Sequence, residues 1–223
     1  MDRELLERCL GNKWGVVKLI YIDFVKNNAK CFKCNRPLKS GKAIIYNNHF
    51  YGPTCIESEN IEHKNIPDLT KGVLFRLNTE QSNKSKETNF SITNEKIDSI
   101  NTYYSYLIIR AEKLKDIEIL HYSVIDDLYN KYKSGNFSKQ DKIHLVNLVN
   151  KANTDNLKYS QDNIYFLYAI KTELEKLLEN NTQNTFYRNL YKYLLSKATL
   201  SKPQFDALSK DINLNIKYYS YED

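Results

Sequence analysis

The residues whose types and spacing could do chemistry are Cys31-x2-Cys34, His49 after fourteen intervening residues, and Cys55 after five more. Zinc takes four nitrogen or sulfur ligands in a tetrahedron, and a Cys-x2-Cys turn supplies two thiolates from one short loop. Gly52-Pro53-Thr54 sets Cys55 at the start of a helix, where the N-terminal dipole favours a thiolate. Knuckle, hairpin, then a ligand on a helix is a treble-clef layout. The expected ligand set is Cys31, Cys34, His49 and Cys55, with Glu59 and His63 open as alternatives to His49. Four protein ligands leave no open position, so the expected Zn2+ is structural rather than catalytic. A module this small cannot bury a core alone, so the metal is expected to be required for its folding.

The same stretch is basic. Between Asp23 and Glu57 the chain carries Lys26, Lys30, Lys33, Arg36, Lys39 and Lys42 and no acid. Residues 1–78 have a net charge of +5 and residues 79–223 only +1, so most of the total of +6 lies in the cysteine-bearing part. Lys33, Arg36, Lys39 and Lys42 are therefore candidate phosphate contacts. A bias toward lysine (27 Lys against 6 Arg) is the competing explanation of the patch.

Residues 31–57, CFKCNRPLKSGKAIIYNNHFYGPTCIE, resemble the treble-clef zinc modules of phage and mobile-element proteins, which carry Cys-x2-Cys-Gly-Arg-x-Leu and later Gly-Pro-x-Cys. The matching residues are Cys31, Cys34, Arg36, Leu38, Gly52, Pro53 and Cys55, with Asn35 in place of the usual glycine. The run is more weakly similar to fingers of the poly(ADP-ribose) polymerase type, through Gly41, Ile44 and His49. The resemblance implies a structural zinc and a viral, phage or mobile-element origin, hence host cytoplasm or nucleus. It covers these 27 residues and does not extend to the rest of the chain.

The elements that must position these residues are mostly helical. Leu6, Leu10, Trp14, Val17, Tyr21 and Phe24 recur at steps of three and four, which predicts an amphipathic helix over 3–26, with Cys9 packed near its apolar face. Alternation around Asn47-Asn48 predicts a β-hairpin over 43–51, because asparagine tolerates the positive φ of a two-residue turn. Val73, Phe75 and Leu77 suggest a short strand, and the polar run 79–91 reads as a linker between residues 1–78 and a helical domain over 92–223.

That domain reads as two divergent three-helix repeats, in units of about 94–156 and 157–219. The expected helices are 94–117, 121–133 and 138–151, then 160–180, 185–197 and 201–212. Tyr103-Tyr104-Ser105-Tyr106-Leu107 aligns with Tyr165-Phe166-Leu167-Tyr168-Ala169. The third helix of each unit opens on a capping box, Ser138 with Asp141 and Ser201 with Gln204. The fold class is thus mainly α, with a small zinc module in front.

Mean hydropathy of −0.61 and the lack of a long apolar run exclude a membrane span, and the charged N-terminus predicts no secretory signal. Four cysteines are too few for a disulfide scaffold, which favours a reducing, cytoplasmic setting. No phosphate-binding glycine loop, hydrolase triad order or paired-acid motif occurs, so no enzyme is expected. His121 and His144 read as surface or interhelical residues, and Asp126-Asp127 as solvated. Fifteen of the 18 tyrosines follow residue 79, as core packing or as stacking and interface residues. Two functions follow as expectations: a nucleic-acid-binding accessory protein working through the basic finger, or a protein-binding adaptor or inhibitor working through residues 92–223.

Overall fold

A computed structural model describes residues 19–26, 28–61, 63, 65–71, 92–212 and 218–219, with the backbone alone for 92–99. A three-stranded antiparallel sheet comes first, with β1 at Ile20–Phe24, β2 at Lys42–Tyr46 and β3 at His49–Tyr51. The short helix α1 (Pro53–Glu57) follows. Beyond it lie α2 (Ile92–Ile108), which ends in a π-turn at Ile109–Lys113, then α3 (Ser123–Lys133), α4 (Lys139–Asp155), α5 (Gln161–Asn180), α6 (Thr185–Lys197) and α7 (Lys202–Ser209). Single 3-10 turns at Glu118–Leu120 and Leu157–Tyr159 lead into α3 and α5. The described residues are mainly helical, as expected, with one small sheet.

The expected helix over 3–26 is corrected at its C-terminal end. Residues 20–24 are a strand, pairing Ile20 with Tyr46, Ile22 with Ile44 and Phe24 with Lys42. Ile20-Tyr21-Ile22 is β-branched and aromatic, and its inside–outside alternation has period two. Tyr21 and Phe24 also satisfy a three-residue helical step, so periodicity alone could not separate the two. The rest of that expected helix, with Cys9, lies outside the described residues, as do the expected strand at 73–77 and the linker at 79–91.

The hairpin forms where expected. Asn47 and Asn48 take φ of 50° and 61°, the left-handed pair that a tight two-residue turn needs. The sheet is then buried on both faces. Tyr21, Ala43 and Ile45 point into the large core made by the helices, together with Leu69. On the opposite face Ile44, Tyr51 and Ile56 form a second cluster, flanked by Ile20, Ile22 and Cys55. The described part of the N-terminal region therefore shares a core with the helices. Leu69 is fully buried, and Ile22 N–H donates to the Pro67 carbonyl at 2.8 Å, so the segment after α1 returns to the edge of β1.

The helices follow their sequence signals closely. Both capping boxes are made: Asp141 N–H donates to Ser138 Oγ at 3.1 Å and Ser138 N–H returns to Asp141 Oδ2 at 2.9 Å. The Ser201–Gln204 pair repeats the arrangement, with Ser201 N–H to Gln204 Oε1 at 2.9 Å. The first expected helix differs, because α2 gives way at Ile109 to the π-turn rather than running on to 117. Tyr106, Tyr129, Tyr165 and Tyr168 are buried, and others such as Tyr104, Tyr132 and Tyr191 pack partly buried against the core. Hydroxyls from this set reach backbone, as Tyr106 does to the Tyr159 carbonyl at 2.8 Å. No helix among the described residues is long and apolar enough to cross a membrane.

Candidate metal centre

Cys31, Cys34 and Cys55 come together, with their sulfurs all within 4.8 Å of one another. The knuckle holds its shape through its backbone. Cys31 N–H donates to the Arg36 carbonyl at 2.9 Å, and Asn35 N–H donates to the Cys31 carbonyl at 2.8 Å. Asn35 sits at φ of 57°, the left-handed conformation that a glycine usually supplies and asparagine tolerates. β3 then carries the chain back, and Gly52 N–H points at Cys31 Sγ from 3.5 Å. Pro53 in the first turn of α1 leaves Cys55 facing the knuckle.

The donor set fits a thiophilic metal. Tetrahedral zinc with sulfurs at 2.3 Å has them about 3.8 Å apart, a spacing compatible with three sulfurs within 4.8 Å of one another. Burial raises the Cys31 thiol, but backbone N–H groups of Gly52, Cys34 and Lys33 outweigh it and bring the pKa down to about 7. Cys55 is pushed up to about 11, first by hydrogen bonding to Cys34 and then to Cys31. Cys55 thus holds its proton more tightly than an ordinary thiol, and a divalent ion bound by these sulfurs would displace it.

The expected fourth ligand does not join them. His49 is exposed, paired across the turn with Tyr46, and its ring stacks on Phe32 with centroids 3.8 Å apart and planes 14° apart. The alternatives are also engaged elsewhere. Glu59 pairs with Lys33 Nζ at 2.6 Å, while His63 bonds the Ile61 carbonyl through Nδ1 at 3.1 Å and faces Glu57. Among the described residues the centre is a set of three cysteines.

Around it, Arg36 and Lys39 are exposed and Lys42 is half-buried on β2, each without an ion-pair partner among the described residues. Lys33 is tied to Glu59 and Ser58, and Lys26 to Glu179, so the basic stretch keeps fewer free cations than its composition promised. Phe32, between the first two cysteines, is 61% exposed, with Tyr51 edge-on to it at 5.8 Å. Its N–H donates to the Phe50 carbonyl at 2.7 Å, which fixes the tip of the knuckle to the hairpin.

A second cluster of titratable groups has no local sequence signal. Asp23 on β1 is buried, accepts a hydrogen bond from the Tyr168 hydroxyl and pairs with Lys113 Nζ at 2.9 Å. Lys113 also meets Glu112 at 2.9 Å and the Tyr21 hydroxyl at 3.0 Å, and Glu112 accepts from both Tyr21 and Tyr129. Burial pushes the Tyr21 and Tyr129 phenols up, so both stay protonated as donors. Two carboxylates and one ammonium, with phenols satisfying the remaining lone pairs, make a polar joint between sheet and helices. His121 pairs with Asp126 at 2.8 Å near the surface, and His144 is exposed.

Compared with known protein families, curated proteins and solved structures, the chain has no match.

Proposed function

We propose that the protein is a non-enzymatic, zinc-dependent nucleic-acid-binding accessory protein of viral, phage or mobile-element type. Its finger contacts the nucleic acid, and its helical domain positions the finger or recruits larger machinery. The observation that carries this reading is Phe32, held out on the cysteine knuckle at 61% exposure and stacked on His49, with Arg36 and Lys39 on the following loop and Lys42 at the start of β2. An aromatic plane beside unpaired cations is what a single strand requires: a stacking surface for bases and charge for phosphates. The metal in this reading is a Zn2+ that Cys31, Cys34 and Cys55 would hold in a treble-clef module, where it would stabilise the fold of the finger. The six helices from α2 to α7 are two divergent copies of a three-helix unit, a reading supported by the matching capping boxes of α4 and α7.

The test is fluorescence anisotropy of single- and double-stranded DNA and RNA oligonucleotides with zinc-loaded protein across a salt series. Lys30, Arg36, Lys39 and Lys42 lack ion-pair partners among the described residues, and four phosphate contacts on a single strand give a log–log salt slope of about −3. Phe32→Ala should weaken single-strand binding by about 1–3 kcal/mol without changing that slope. Absence of binding at low salt by folded protein removes this reading. The alternative is an adaptor or inhibitor that binds a protein through the helical domain. It is favoured by exposed Ile143 and Phe186, on α4 and α6.

A further inference from the structure

The π-turn that ends α2 re-aims one side chain in particular. Leu114 N–H reaches back five residues to the Ile109 carbonyl at 2.9 Å, and within that wider turn Arg110 is directed inward and is only 5% exposed. Turns of this kind recur at functional sites. Arg110 Nε donates to the Leu120 carbonyl at 3.1 Å and Nη1 donates to the Tyr106 hydroxyl at 2.8 Å. The guanidinium carbon lies 4.6 Å from the Tyr159 ring centroid and 5.8 Å from that of Tyr122. No carboxylate pairs with it among the described residues. Of the five guanidinium N–H groups, these bonds use two and leave three without a protein acceptor among the described residues.

A cavity of about 500 Å³ opens onto this group, walled by Tyr122, Tyr159 and Asn156, with Lys151 and Asp155 on the α4 side. That size falls in the range of small-molecule sites. A buried cation without a counter-ion is costly unless something anionic completes it. Three free guanidinium N–H groups and a nearby ammonium suit an acceptor with several oxygens and more than one charge, which a phosphate offers and a lone carboxylate does not. Tyr122, 45% exposed beside the guanidinium, offers a flat apolar face. We propose that this cavity binds a phosphate ester of nucleotide size, its phosphate on Arg110 and Lys151 and its planar ring against Tyr122. The site shares no residue with the cysteine centre and stands independently of the nucleic-acid reading.

Isothermal titration of the full-length protein with AMP, inorganic phosphate, adenosine and succinate tests it. AMP is expected to bind with a submillimolar Kd, phosphate about tenfold more weakly, and adenosine and succinate not measurably. Arg110→Met should abolish AMP binding; it also takes the donors from the Leu120 carbonyl and the Tyr106 hydroxyl, so its fold is checked by circular dichroism. Tyr122→Ala and Lys151→Ala alter more exposed residues, so they carry the test if Arg110→Met fails to fold. The first should weaken AMP but not phosphate, and the second should weaken both. Lack of AMP binding at millimolar concentration, succinate binding as tight as AMP, or undiminished affinity in these variants would overturn the proposal and leave Arg110 a packing residue.

Discussion

Tyr21 and Glu112 lie 91 residues apart in the chain, yet the Tyr21 hydroxyl donates to Glu112 Oε1 across 2.9 Å. This bond joins β1 to the π-turn, and Lys113 and Asp23 complete the joint. Lys113 is the cation between two carboxylates, and removing it leaves Asp23 and Glu112 facing each other in a poorly hydrated space. Lys113→Met should therefore cost about 3–5 kcal/mol, and Tyr21→Phe about 1–2 kcal/mol. Urea unfolding followed by far-UV circular dichroism measures both. A loss below about 0.5 kcal/mol in Lys113→Met would show that the joint is solvated.

The same joint sets an acid-side dependence of stability. Burial acts to raise the Glu112 carboxyl, but Lys113 and the hydrogen bonds from Tyr129, Lys113 and Tyr21 hold it below its ordinary value of 4.5. The unfolded chain then takes up this proton before the folded one does. Its contribution is complete above the ordinary value and is lost as pH falls through the depressed one. Glu112→Gln should lower stability at neutral pH and flatten the decline below about pH 4.5. Parallel acid limbs for the two proteins would rule this out.

Metal binding should depend on the cysteines and not on His49. Serine at Cys31, Cys34 or Cys55 removes one of three thiolates and is expected to lower zinc affinity by orders of magnitude. His49→Ala should change it by only a few-fold, since the ring lies on Phe32 and not among the sulfurs. Competition with a chromogenic chelator gives the affinities, and the charge-transfer band of the cobalt-substituted protein reports the thiolates. A large loss in His49→Ala would mean that the imidazole swings off Phe32 when metal binds.

The two capping boxes offer matched local tests. Ser138→Ala and Ser201→Ala each remove a side-chain acceptor from a helix N-terminus and should cost about 1 kcal/mol. Because the boxes sit on different helices and share no partner, the double variant should cost the sum. Thermal melts of the four proteins decide it, and a clear departure from additivity would show that the ends of α4 and α7 are coupled.

At the fully buried Leu69 the prediction concerns docking. Its side chain lies in the large core with Tyr21, Ile45 and the helices. Leu69→Ala should cost about 2–5 kcal/mol. Hydrogen exchange should show faster opening of β1, whose Ile22 amide is bonded to Pro67. Unchanged exchange along β1 would place the contact outside the cooperative unit.

What was legible in the sequence was what depends on neighbours within a few residues. The asparagine pair announced the hairpin, the Ser-x-x-Asp and Ser-x-x-Gln boxes announced the starts of α4 and α7, and the α5 and α6 boundaries followed apolar periodicity almost to the residue. Cys-x2-Cys with Gly-Pro-x-Cys was enough to expect three sulfurs together, because a knuckle and a helix start restrict where cysteines can point. Everything that needed a distant partner was decided by packing. Residues 20–24 fit a helical step as well as an alternating one, and only pairing with β2 made them a strand. His49 had the right type and spacing for a ligand, but the exposed ring of Phe32 gave it a closer neighbour than the sulfurs. Asp23, Glu112, Lys113 and Tyr168, like Arg110 with Tyr122 and Tyr159, are ordinary residues in sequence. Their chemistry arises because burial strips water from charges that folding has brought together, and one dimension carries no record of that.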